Sequence, residues 1–102
     1  MSQSEEVRVF AMLFALPGKE DEVRRNLAEF VPLTKAEPGC LTYMLHEGTG
    51  QPGTFCFYEV YKNAEAAEAH AKSAHLAAIL EKNRPLLSAP PTIIVTKLLT
   101  GS

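Results

Sequence analysis

The chain has no tryptophan, only two cysteines and no excess of either charge, with 10 basic against 12 acidic residues. Because the basic residues are scattered among acidic ones, there is no electrostatic footprint for nucleic acid or for an anionic membrane surface. No apolar run approaches the roughly 18 residues that a membrane-spanning helix needs. The opening MSQSEEV has neither the basic region nor the apolar stretch of a secretory signal, so a cytoplasmic location is expected. Cys40 and Cys56 fall on two predicted strands at positions that are not opposite one another, which speaks against a disulfide and makes them small core residues. Glycine-rich phosphate loops, nucleophile elbows and paired metal-ligand motifs are missing, which argues against nucleotide cofactors and tightly held metals. His70 and His75 are five apart in a helical region, not the i, i+4 spacing that brings two imidazoles to one ion, and no acid is evident on that face; no metal site is expected.

What is present fits one domain, residues 7–99, behind a polar tail of residues 1–6, with a single modest core. Val7 to Ala15 is apolar on both faces, as a central strand is. Pro17-Gly18 breaks it, and Glu20, Asp21 and Glu22 then open a helix where negative charge suits the macrodipole. Val23, Leu27, Phe30 and Val31 form the inward stripe of that helix, Pro32 should kink or loosen it, and Pro38-Gly39 should end it. Cys40 to Glu47 and Phe55 to Tyr61 are strands joined by the turn GTGQPG, with His46 near the hairpin tip and expected in solvent. A helix from Asn63 to about Ser73, further helical turns to Pro85 and a strand over Thr92 to Leu99 complete the order β-α-β-β-α-β. That order predicts an α+β fold of the ferredoxin-like split βαβ type: an antiparallel sheet with strands one and three central and helices on one face only. Apolar residues of strand one are then left on an open sheet surface, for which a second copy is the natural cover.

Two residues stand out against this background. Phe55, Phe57, Glu59 and Tyr61 alternate onto one face of the aromatic strand, so Glu59 sits among rings. Past the N-cap residue Asn63, steps of 100° put Glu65, Glu68 and Lys72 on one side of the helix and Ala66, Ala67 and His70 on the other, which points His70 at the core. A carboxylate and an imidazole taken out of water ask for each other or for a ligand. Either they are a satisfied structural pair that orients the helix on its sheet, or they serve a bound molecule. The run of short alanines at 64, 66, 67, 69, 71, 74, 77 and 78 either lets the helix sit close on the sheet or leaves a void for a ligand. His75 falls at the rim of the apolar face made by Leu76, Ile79 and Leu80, and of the tyrosines Tyr43, Tyr58 and Tyr61 only Tyr61 is expected to share a face with Glu59.

Three segments together carry a family resemblance over nearly the whole length: Glu37-Pro38-Gly39-Cys40 followed by Tyr43, Phe55 through Glu59 to Tyr61, and Ala66, His70, Ser73 and His75. They follow the pattern F-x-x-x-E-x-[WY]…A-x-x-x-H-x-x-[ST]-x-H, and the chain resembles the antibiotic biosynthesis monooxygenase (ABM) domain superfamily of dimeric α+β barrels. The resemblance implies a homodimer whose protomers each hold a pocket between sheet and helices. It also implies oxygenation of quinol-like or anthrone-like aromatics without flavin, haem or metal. A second branch is similar: an isomerase of the phosphorylated autoinducer-2 signal has a comparable F-Y-x-Y-E-x-Y-K run and H-x-x-x-x-H segment. In the haem-degrading branch the aromatic strand ends in Trp and the pocket holds an Asn and a haem-binding His, where this chain has Tyr61, Ala11 and Leu80. Haem degradation is therefore not expected. The same Ala11 and Tyr61 depart from the polyketide-anthrone oxygenases.

For an oxygenase, the expected base is His70, or His75 at the rim, because imidazole titrates near neutrality. Glu59 would hold its tautomer or stabilise its charged form, while Tyr61, Phe55 and Phe57 would stack on the substrate. No cofactor is called for. An isomerase would use the same pair to shuttle a proton between carbons of a small hydroxyketone and would want an Arg or Lys for the phosphate. A non-catalytic ligand-binding dimer is the third reading.

Overall fold

A computed structural model describes residues 5–101, so residues 1–4 of the expected 1–6 tail lie outside the described residues. The elements are β1 (Val7–Phe14), α1 (Glu20–Lys35), β2 (Cys40–Glu47), β3 (Thr54–Tyr61), α2 (Ala64–Ala71), α3 (Ala74–Asn83), a 3-10 turn at Arg84–Leu86 and β4 (Thr92–Thr96). The four strands form one antiparallel sheet in the order β2-β3-β1-β4, the split βαβ arrangement with β1 and β3 in the centre. The helices cover the face carrying Val9, Ala11 and Leu13 of β1 and Phe55, Phe57, Glu59 and Tyr61 of β3, all of which are buried. Phe10, Met44 and Ile94 look the other way and are exposed. Among the described residues, no helix is long and apolar enough to cross a membrane.

Two boundaries differ from expectation for identifiable reasons. Helix α1 runs through Pro32, and its last turn is closed by the Ala36 N–H donating to the Pro32 carbonyl at 3.1 Å. Pro32 and Ala28 both lie on the exposed side, so the carbonyl that loses its helical partner is open to solvent and the proline is tolerated. Strand β4 stops at Thr96, short of Leu99, where β1, its one partner among the described residues, runs out: Thr96 is opposite Arg8, next to the first residue of β1.

The alanine-rich helix is placed by both devices that its composition allows. Gly39, buried in the turn before β2, sits so close beneath α2 that a Cβ on it would overlap the Ala66 methyl. One residue further on, Ala67, with Ala71, lines a void instead. Asn63 caps α2, accepting from the Ala66 N–H at 2.8 Å. Ser73 then breaks the helix: its hydroxyl donates to the His70 carbonyl at 2.8 Å and accepts from the Leu76 N–H at 3.3 Å, restarting the chain as α3.

Candidate functional site

The void is a cavity of about 120 Å³ between the sheet and the helices. Its floor is Phe57, Glu59 and Tyr61 of β3, and its roof includes Ala67, His70 and Ala71 of α2. Ala11 and Leu80, the positions compared with haem-degrading relatives, are apolar wall residues. Tyr43 lies opposite Glu59 on β2 and also lines the cavity, so Tyr61 is not the only tyrosine on the face of Glu59.

The polar groups form a connected series. Tyr61 donates its hydroxyl to Glu59 Oε1 at 2.7 Å, and the Tyr61 ring stacks on His70 with centroids 5.3 Å apart. His70 Nε2 stands 4.0 Å from Glu59 Oε1, too far for a hydrogen bond. The other ring nitrogen, Nδ1, is 3.1 Å from Glu37 Oε2, and His75 Nε2 approaches the same oxygen to 2.7 Å. Because a carboxylate only accepts, this partner assigns the His70 proton to Nδ1 and leaves the Nε2 lone pair facing the cavity. Burial pushes the Glu59 carboxyl above its ordinary value, with the Tyr61 hydroxyl bond and the nearby His70 only partly opposing it. Burial, then the adjacent Glu59, likewise raises the Tyr61 phenol, and burial raises that of Tyr43. Both phenols therefore stay protonated, and that of Tyr61 donates to Glu59.

The expected site residues divide. Glu59, Tyr61, His70 and Phe57 come together on the cavity. Phe55 does not: it is buried in the core with the Arg24 guanidinium 5.8 Å above its ring, because alternation along β3 fixes its face but not its end of the strand. His75 lies on the far side of Glu37 and faces a shallow groove with Asn26 and Lys82 rather than the cavity. His46 is exposed as expected, and Cys40 and Cys56 are free and half-buried.

Sequence reasoning placed Glu37 in a segment that carries the family resemblance but gave it no chemical role, although it is the residue that joins the two histidines. Its contact with His70 spans 33 positions, so no local periodicity could show it. The usable signal was the Pro-Gly pair after it: Pro38 turns the chain and Gly39 permits the touch with Ala66, which pins Glu37 beside α2. Glu37, His70 and His75 offer ligand atoms within 4.8 Å of one another, so the acid thought missing from that face is present.

Known proteins agree with this architecture. Over 82 residues the chain is 33% identical to "Putative monooxygenase YcnE" of Bacillus subtilis, a match covering 80% of this chain and 86% of that protein. It is 29% identical over 82 residues to the protein sll1783 of Synechocystis, again 80% of this chain but only 56% of that longer protein. The fold superposes on the structure of Rv0793 from Mycobacterium tuberculosis with a TM-score of 0.87 at 26% identity, covering 96% of this chain and 99% of that one. The model of the family described as antibiotic biosynthesis monooxygenase matches residues 6–82, and the chain belongs to that family.

Proposed function

We propose that the protein is a cofactor-independent monooxygenase that oxidises a small quinol with a single ring. The observation that carries this reading is the cavity itself: an apolar chamber holding one imidazole nitrogen, His70 Nε2, that lies 4.0 Å from Glu59 Oε1 and makes no hydrogen bond to it, beside a tyrosine-bonded carboxyl. At about 120 Å³ it is close to the size of an engineered apolar cavity, about 150 Å³, known to take benzene, which favours one ring over a three-ring anthrone. None of the residues lining it is Arg or Lys, so a phosphorylated hydroxyketone has no cation to meet there.

In this reading His70 Nε2 removes a phenolic proton, and Glu37 at Nδ1 stabilises the imidazolium that forms. The quinolate passes an electron to dioxygen, and the resulting radical pair joins through a carbon–oxygen bond at a ring CH. The imidazolium returns its proton to the distal oxygen. Loss of water from that hydroperoxide breaks the O–O bond and leaves a carbonyl, so a quinol and O₂ give a hydroxyquinone and one H₂O. Exclusion of bulk water keeps the anion reactive. Oxygen uptake with methylhydroquinone, run in ¹⁸O₂ on metal-stripped, flavin-free protein, tests the proposal. One labelled oxygen should enter the product; no uptake above buffer across a panel of one- and two-ring quinols would refute it, and conversion of a phosphorylated hydroxyketone would install the isomerase reading instead.

The working form in this proposal is a homodimer joined through the open sheet face. Phe10, Met44 and Ile94 are 44%, 52% and 55% exposed there, and Tyr58 packs on Phe10 at 5.3 Å. Light scattering across a dilution series should give twice the 11.2 kDa chain mass; a stable monomer would refute it.

A further inference from the structure

The expectation of no metal site rested on two premises, and the structure removes both. A spacing of five residues separates two imidazoles on a continuous helix, but Ser73 breaks this one between His70 and His75, so both rings reach the same point. Glu37 supplies the missing acid from the turn before β2. Its Oε2 is 3.1 Å from His70 Nδ1 and 2.7 Å from His75 Nε2. Around a tetrahedral ion with bonds of about 2.0–2.2 Å, neighbouring donor atoms stand about 3.3 Å apart. The two imidazole nitrogens lie within 4.8 Å of one another, so seating an ion asks the rings to draw together by up to about 1.5 Å. His75 Nε2 is shielded from water yet makes no directed hydrogen bond, so one donor of the cluster is without a satisfying partner.

We propose that Glu37, His70 and His75 form a binding site for a zinc-class divalent cation, and that filling it switches off the cavity-facing base. Two imidazoles and a carboxylate suit zinc and its neighbours, whereas calcium and magnesium prefer oxygen alone. The site lies behind His70, on the side away from the cavity, and communicates with solvent past His75, whose side chain is 31% exposed. The cation therefore touches no substrate. Its action is on the tautomer: coordination takes the Nδ1 lone pair, so the neutral ring must carry its proton on Nε2 and can no longer accept one from a phenol. This second step rests on His70 being the base of the proposed reaction; the binding step does not.

Tag-free, metal-stripped protein titrated with Co²⁺ tests the site without any substrate. A tetrahedral visible absorption band should saturate at one equivalent per chain, yield to Zn²⁺ and ignore Mg²⁺. Glu37→Gln and His75→Ala should each weaken binding by about 100-fold or more, since even partners behind the ligands are worth 10–100-fold, and His46→Ala should change nothing. Absence of the band, or wild-type affinity in folded His75→Ala, would overturn the proposal. His75 is the deciding position should Glu37→Gln fail to fold, since its ring is partly exposed. Saturating Zn²⁺ should then stop quinol-dependent oxygen uptake by the wild type and spare His75→Ala. Full activity of the zinc-loaded wild type would overturn the switch, whereas no turnover in metal-free protein would count against the proposed reaction and leave the Co²⁺ result standing.

Discussion

Glu47 and Glu59 project from the same face of the sheet on neighbouring strands, Glu47 opposite Phe55 and Glu59 opposite Tyr43, yet they are chemically opposite. Glu47 takes two bonds from the Arg24 guanidinium, each at 2.7 Å, and one from the Gly53 N–H at 3.0 Å. Those partners, Arg24 first, hold its pKa down to about 2. Glu59 has one phenol and a distant imidazole, and burial moves it the other way. Face and residue type are therefore not what sets the chemistry. Burial set against the number of donors aimed at the charge decides it: a half-exposed, saturated carboxylate is a clamp, and a buried, undersupplied one beside a cavity still has protons to exchange.

The largest expected effect breaks the comparison at His70. His70→Ala should cut turnover by about 10²–10⁴-fold, the usual worth of a general base, while Arg24→Ala at the other end should leave kcat intact and lower the melting temperature; equal losses of turnover would erase the distinction. Next comes the seat of α2. Gly39→Ala forces a methyl into Ala66 and should cost about 1–3 kcal/mol in denaturant melts, as overpacking does; an unchanged midpoint would show that α2 is not held there. Filling the cavity separates fold from function: Ala67→Leu should gain about 0.5–2 kcal/mol of stability while raising KM for any quinol at least about tenfold. Stability and affinity falling together would mean that Ala67 is simply core.

The smallest effect sharpens the contrast through pH. Glu47 is depressed when folded, so its contribution is complete above the ordinary carboxylate value of 4.5 and is lost as pH falls toward about 2. Glu59 is raised, so the fold takes up a proton there, and its contribution is fullest below 4.5 and declines as pH rises past that value. Glu47→Gln should accordingly flatten the acid limb of a stability–pH curve. Glu59→Gln, which keeps an oxygen for the Tyr61 hydroxyl, should remove the decline above 4.5 without lowering the midpoint at neutral pH. Denaturant midpoints for both variants across that range check the signs, and a loss at neutral pH in Glu59→Gln would mean that the carboxylate is better paired than its surroundings allow.

Much of this was legible because it is periodic. Alternation placed Glu59 and Tyr61 inward, the 100° step placed His70 over them, and Asn63 marked the helix start. What periodicity cannot report is position along an element or contact across the chain. Phe55 has the right parity and the wrong end, and Glu37 reaches His70 from a turn whose only local signal is its Pro-Gly pair. The five-residue histidine spacing misled for a related reason: it presumed an unbroken helix, and one serine hydroxyl serving both helices removed that presumption.

One wall of the cavity is built differently from the rest. Ile93 and Val95 line it from β4, a strand of five residues that, among the described residues, hydrogen-bonds to β1 alone and has four of them exposed. Segments with one partner and little buried surface open locally at the lowest free-energy cost. In the proposed reaction a ligand in this chamber would thus be held by a timescale as much as by contacts: the dwell time of a small ring, and the rate at which dioxygen finds it, would follow the fraying of an edge strand.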